Sequence, residues 1–119
     1  MTAKEIVQNF YKSDVLLETT TVRELLHPDV ILEWHSSQGL LHLNFDDIIE
    51  LSSELGKAYI RSKSKISHIM EEEGSVSIRY SHYVKTFENP REEMLLAHFV
   101  VIWEVKNEKL YRGFQMSQL

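Results

Sequence analysis

The sequence predicts an α+β domain in which helices come first and an antiparallel meander follows. Apolar residues recur every three or four positions through the first half, then every second position from residue 60 onward. A third observation is "LLAHFVVIWEV", apolar on both faces, which reads as a central strand covered on two sides. The 119 residues are expected to form one domain, 1–119, able to bury a core without metals or disulfides.

The first helix is announced by Thr2 and Glu5, a capping-box pair whose hydroxyl and carboxylate satisfy free amides at the helix start. Ile6, Val7, Phe10 and Tyr11 form its apolar side, opposite Lys4, Gln8, Asn9 and Lys12. A second box, Thr21 to Glu24, opens a short helix through Leu25 and Leu26. Pro28 ends it, because the residue before proline is pushed out of the helical region. "VILEWHSSQGLLHL" reads as a hairpin turning at Gln38-Gly39, which pairs Trp34 with Leu43 and His35 with His42. Leu32, Trp34, Leu41 and Leu43 then share one face, and Glu33, His35 and His42 the other. A third helix runs from about Phe45, capped by Asn44 or Asp46, with Ile48, Leu51, Leu55 and Tyr59 along one side.

In the second half, "RSKSKISHIM" alternates up to the turn "EEEGS", and "VSIRYSHYVKTF" alternates up to "ENPREE". "KNEK" turns the central strand into "LYRGFQM". A tight turn there sets Trp103 opposite Arg112 and Val101 opposite Phe114. The face toward the helices then collects Ile66, His68, Met70, Ile78, Tyr80, His82 and Val84, joined by Ala97, Phe99, Val101, Trp103, Phe114 and Met116. The other face carries Lys63, Lys65, Arg79, Ser81 and Lys85, but also Leu96, Val100 and Ile102. That apolar patch is expected to pair two copies in a homodimer.

The net charge of −5 and the scattered lysines and arginines argue against nucleic acid as a partner. No apolar run reaches the roughly eighteen residues that a membrane span needs, and the amphipathic N-terminus lacks the apolar stretch of a secretory leader. The absence of cysteine removes disulfides, thiolate nucleophiles and cysteine-based zinc sites. It fits the cytoplasm, the expected location. There is no Gly-rich phosphate loop, Ser-His-Asp arrangement or HExxH, so no cofactor or metal is expected.

The histidines invite chemistry. Across a hairpin, His35 and His42 would sit with Cβ atoms roughly 5 Å apart, with Glu33 as a third candidate ligand. Without orienting partners the trio reads instead as an outward polar face. His82, His68 and Tyr80 share the face toward the helices and are the candidates for acid–base work, although no inward aspartate is available to orient a ring. Arg112, opposite Trp103, either stacks on the indole as a carboxylate-binding fork or snorkels to the rim.

The element order, with a short second helix ending in "LLHPDVILEW", resembles the nuclear transport factor 2-like fold. Within it the sequence is most similar to small SnoaL-like and ketosteroid-isomerase-like proteins. The resemblance covers the whole chain and implies a conical, cystatin-like α+β fold. Three N-terminal helices would pack on a curved, mainly antiparallel sheet, with an apolar pocket at the wide end and homodimers common. The isomerases' catalytic groups are missing. Their base aspartate aligns with Trp34, their first-helix tyrosine with Phe10 beside Tyr11, and their second acid with the apolar "FVVIW". Scytalone-dehydratase-like members use pocket histidines, which keeps a lyase or isomerase working through His82 or His68 as an alternative. A protein-interaction module of nuclear transport factor 2 type is another.

The expected function is therefore binding of an apolar or weakly acidic small molecule. Phe10, Trp34, Tyr80, His82, Phe99, Trp103 and Arg112 are the expected lining. An acid or His68 within reach of His82 would favour an enzyme, and a pocket filled by Trp34 and Trp103 an interaction module.

Overall fold

A computed structural model describes residues 1–119. Helix α1 (Ala3–Phe10) is followed by a 3-10 turn at Val15–Leu17, helix α2 (Thr19–Leu25), strands β1 (Leu26–Ser36) and β2 (Gly39–Leu43), and helix α3 (Phe45–Ala58). Strands β3 (Tyr59–Glu72), β4 (Ser75–Thr86), β5 (Met94–Lys106) and β6 (Lys109–Gln118) complete the chain. One sheet holds all six strands in the order β2-β1-β6-β5-β4-β3. Every neighbouring pair is antiparallel except β1 and β6. This is the expected α+β architecture, with the helices on one face of a mainly antiparallel sheet. No helix is long and apolar enough to cross a membrane.

The caps at α1 and α3 follow from the sequence. Thr2 accepts from the Glu5 amide while the Glu5 carboxylate receives the Thr2 amide. Asn44 and Asp47 repeat that exchange at α3. The box expected at Thr21 does not form. The cap position of α2 falls three residues earlier, at Glu18, and the Thr21 hydroxyl instead donates to the Glu18 carboxylate. Pro28 lies inside β1, within the stretch between Leu26 and Ile31 where pairing with β6 is interrupted. A residue without an amide hydrogen is tolerated there because no ladder bond is required of it.

Helix α1 buries Ile6, Val7 and Phe10 against the sheet, each contributing roughly 1.5–3 kcal/mol. The centre of the core is Trp103, which is 1% exposed. Its indole lies over Gly113, and Leu32 closes from the neighbouring strand. A Cβ at Gly113 would stand 2.6 Å from the Leu32 methyl and 2.7 Å from the indole ring. Only glycine fits between them.

Three registers differ from the sequence expectation. The hairpin turns at Ser37-Gln38 rather than Gln38-Gly39, so Trp34 pairs with Leu41 and His35 with Leu40. A shift of two keeps every side chain on its expected face, but His42 now opposes Glu33 rather than His35. In β3 an irregularity between Ile66 and His68 inverts the alternation. Ile69 turns toward the core, and His68 and Met70 are exposed. At the β5–β6 turn, Asn107 and Glu108 take the left-handed conformation of a tight hairpin, as expected. The next rung is irregular, however: Glu104 pairs with Arg112, Val105 with Leu110, and Tyr111 is extra. Trp103 therefore opposes Gly113 instead of Arg112, and Val101 opposes Gln115 instead of Phe114. One inserted residue exchanges the faces of the whole strand. Gln115 and Ser117 point toward the helices, while Arg112, Phe114 and Met116 lie on the outer face. The outer side of β5 is not covered as expected, since Val100 is 50% exposed.

Candidate functional site

Between the sheet and the helices lies a cavity of about 460 Å³. Of its 24 lining residues 16 are hydrophobic, and none is Asp, Glu, Lys or Arg. The hairpin residues Ser36, Ser37 and Gln38 add exposed or half-buried polar groups to this lining. Phe10 and Tyr11 enter from the end of α1, Leu51 and Leu55 from α3, and Trp34 from β1.

The long wall is aromatic because inward positions on adjacent strands fall side by side. Tyr80 and Phe99 are paired in the ladder and stack with centroids 4.9 Å apart and planes within 7°. Tyr11 leans on Tyr80 at 4.6 Å, and Trp34 lies 6.2 Å from Phe99. Offset and tilted pairs of this kind hold rings in fixed orientation.

Set into this wall are a few polar groups with defined partners. The Trp103 indole N–H donates to the Tyr11 hydroxyl at 2.9 Å. Burial pushes the Tyr11 and Tyr80 phenols well above their ordinary range, so both stay protonated. The Trp34 indole N–H donates to Ser117 Oγ at 2.8 Å. His82 Nε2 sits 2.8 Å from Ser62 Oγ. Ser62 is itself clamped: its amide donates to Asp14 Oδ1 at 3.0 Å, and the Asp14 amide donates to its carbonyl at 2.8 Å. Arg61 holds the other carboxylate oxygen of Asp14 at 2.6 Å. Burial alone lowers the His82 pKa to about 4, so the ring is neutral at physiological pH.

Six of the seven residues expected to line a pocket, Phe10, Trp34, Tyr80, His82, Phe99 and Trp103, surround this cavity. Arg112 does not. It lies on the outer side of β6, stacked over the Tyr111 ring at 4.0 Å and donating to the Asp29 carbonyl at 2.6 Å. His68, expected on the face toward the helices with His82, is not there either, because the β3 irregularity places it in solvent, bonded to Ser67. Leu96, expected on the outer patch, lines the cavity, next to a register shift in the β4–β5 ladder. Glu33 lies between His42 and His35 at 3.6 and 3.8 Å, and all three are partly or fully exposed on the outer face.

Tyr11, Gln115, Ser117 and Ser62 were not among the expected site residues. Tyr11 was legible on the apolar side of α1, and its hydroxyl meets Trp103 where Phe10 offers only a ring. For Gln115 and Ser117 the signal was Gly113, the one residue of β6 small enough to face a buried tryptophan. Placing it there turns the next alternate positions inward.

No family model and no curated protein matches the sequence. Solved structures match the fold along nearly its whole length. IdmH from Streptomyces antibioticus, a candidate polyketide cyclase, superposes with a TM-score of 0.74 at 10% identity, covering 98% of this chain and 92% of that one. A LEH-like epoxide hydrolase from M. tuberculosis gives 0.74 at 14% identity, covering 97% and 81%. A protein from Catenulispora acidiphila with a ketosteroid isomerase-like fold gives 0.70 at 11% identity, covering 97% and 85%. At these identities the likeness is one of fold. It is the nuclear transport factor 2-like fold of SnoaL-like and ketosteroid-isomerase-like proteins.

Proposed function

We propose that the protein binds a neutral, largely apolar small molecule in the cavity between its sheet and helices. The observation that carries this reading is a space of about 460 Å³ lined without one ionised side chain. The size suits a small ligand, and the uncharged lining penalises an ion that would have to shed its water there. With Arg112 outside, a carboxylate finds no counter-ion, so the weakly acidic ligand loses its support. Acid–base chemistry is also poorly served. His82 bonds to a serine, no carboxylate lines the cavity, and His68 is on the far side of the sheet. Trp34 and Trp103 lie in the wall of the cavity, so the interaction module gains no support from a filled pocket.

Nile red, a neutral probe whose emission rises in apolar surroundings, tests the reading. The folded protein should bind it, and Ala97→Phe, which fills the cavity from a buried position on β5, should abolish binding with the circular dichroism spectrum unchanged. Equal binding by both proteins would place the dye elsewhere and remove the proposal.

We further propose that two copies pair through the outer sheet face. Ile102 opposes Phe114 and Val100 opposes Met116. This contiguous quartet is 42–64% exposed, a patch of the kind that marks contact surfaces.

A further inference from the structure

The outer face of the sheet is ordered in rungs. Along one of them His68 pairs with Arg79, Arg79 with Val100, Val100 with Met116, and Met116 with His35. The next runs from Ser77 through Ile102 and Phe114 to Glu33 and His42. The apolar quartet therefore has Arg79 on its β4 side, and one carboxylate with two imidazoles on its β1–β2 side. Four of the six histidines, His35, His42, His68 and His98, lie exposed on this face. Each has a polar neighbour. Ser67 Oγ lies 2.9 Å from His68 Nδ1 and accepts from Arg79 Nη1 at 2.9 Å. Ser81 Oγ is 2.8 Å from His98 Nδ1. Glu33 alone serves both His42 and His35.

A second copy suits this face by charge as well as by its apolar centre. In a pair whose two-fold axis runs along the strands, the Glu33 flank of each copy lies over the Arg79 flank of the other, and this contact occurs twice. At neutral pH one carboxylate then meets one guanidinium. We propose that pH gates the pairing: acid charges the imidazoles that flank the quartet and drives the two copies apart. The inference rests on the pairing reading above and adds its regulation. Imidazole is the side chain that gains charge between pH 8 and 5. With His35, His42 and His68 charged, each contact holds four cations against one carboxylate. Glu33 is then engaged by the imidazoles of its own copy, and Arg79 of the other loses its partner. Charges brought together as two faces close must also shed water. Carboxylates, lysines and arginines keep their charge in this range. Glu72, Glu104 and Arg112 on the rung beyond, and Lys63, Lys65 and Lys85 along β3 and β4, are thus a constant background. Arg61 is paired with Asp14, and His98 adds a further cation beside the quartet.

Sedimentation velocity of the intact chain, stepped from pH 7.5 to 5.5 with circular dichroism at each step, tests the gate. Acid brings the net charge of −5 toward zero, which by itself favours association, so dissociation has to come from this face. The expected result is a dimer at pH 7.5 and a folded monomer at 5.5. The dissociation constant should rise roughly a hundredfold per pH unit for one proton taken up at each of two contacts. A dimer at both ends would overturn the gate and leave the pairing standing. A monomer at both would remove the pairing and this inference with it. Dissociation that coincides with loss of the circular dichroism signal is unfolding, and also overturns the gate. His35→Gln, His42→Gln and His68→Gln combined should stay dimeric throughout, whereas dissociation like that of the wild type would acquit the imidazoles. His82→Asn should separate in acid as the wild type does; a dimer at 5.5 would trace the effect to the core instead. Should the triple variant not fold, proton resonance titrations of the wild type decide. The His35 and His68 ring signals should titrate at lower pH in concentrated, paired protein than in dilute protein, and coincident curves overturn the gate.

Discussion

Trp103 donates its indole N–H to the Tyr11 hydroxyl at 2.9 Å, tying the middle of β5 to the end of α1 across 92 residues of chain. Both residues are at most 3% exposed, so neither end of the bond can turn to water. Tyr11→Phe removes the acceptor and leaves the N–H unpaired in the core. The expected cost is about 1–3 kcal/mol, read from the midpoint of urea unfolding. An unchanged midpoint would show that the bond contributes nothing.

His82 makes stability depend on acid. Its pKa is about 4 in the fold against 6.5 in the unfolded chain, so the unfolded state binds the proton more tightly. His82 has no effect on stability above pH 6.5. Stability falls as pH drops from 6.5 to 4, by roughly 3 kcal/mol at the limit. Glu5 and Glu108, held below the usual carboxylate value of 4.5 by the Thr2 cap and the N-terminal amine, lose their contribution as pH falls through 4.5, at the acid end of that window, and do so in wild type and variant alike. Unfolding of wild type and His82→Asn across this range should diverge toward acid, with the wild type losing more. Parallel curves would contradict the lowered pKa.

Gly113→Ala puts a methyl group where Leu32 and Trp103 already touch, at 2.6 and 2.7 Å. Overpacking of that degree should cost about 1–3 kcal/mol. It should also tilt the Trp103 indole, which near-ultraviolet circular dichroism would register. Gly39→Ala meets no neighbouring atom but strains a backbone at φ +111°, and should alter the hairpin without disturbing Trp103.

Val100→Asp tests the pairing of copies. A carboxylate in the middle of the outer patch should convert a dimer to a monomer in light scattering. The lone chain should keep its cavity, because Val100 points away from it. A mass that does not change would remove the interface.

The fold was legible because its signals are local: two periodicities, a capping box at α1, a cap at Asn44 before α3 and a tight turn at 106–109. Most of the cavity wall was legible for the same reason, since Trp34, Tyr80, His82 and Phe99 lie on strands whose parity the pattern fixes. The hairpin slip and the unformed Thr21 box are local misreadings, but the inverted faces on β3 and β6 share one physical cause. Ile66–His68 and Glu104–Val105 are the sites of ladder irregularities, and an extra residue leaves no trace in an alternating pattern. Beyond each of them the expected faces are inverted, which misplaced His68, Arg112, Phe114 and Met116. Apolar residues on both sides of β6 made either parity look acceptable.

The irregularity at Tyr111 also means that β6 has a rival alignment. Slipping by one residue would regularise the ladder and trade buried Gln115 and half-buried Ser117 for Phe114 and Met116, which by greasiness alone is the better bargain. The same slip would drive the Arg112 guanidinium into the core opposite Trp103, where no counter-ion waits, and would turn Gly113 outward and leave a hole over the indole. The strand thus carries its own proofreading. An early collapse with β6 in the wrong phase is penalised by one charge and one void. Neutralising Arg112 would remove the charge half of that safeguard, and would show itself first as slower or divided refolding rather than as a loss of anything visible in the finished protein.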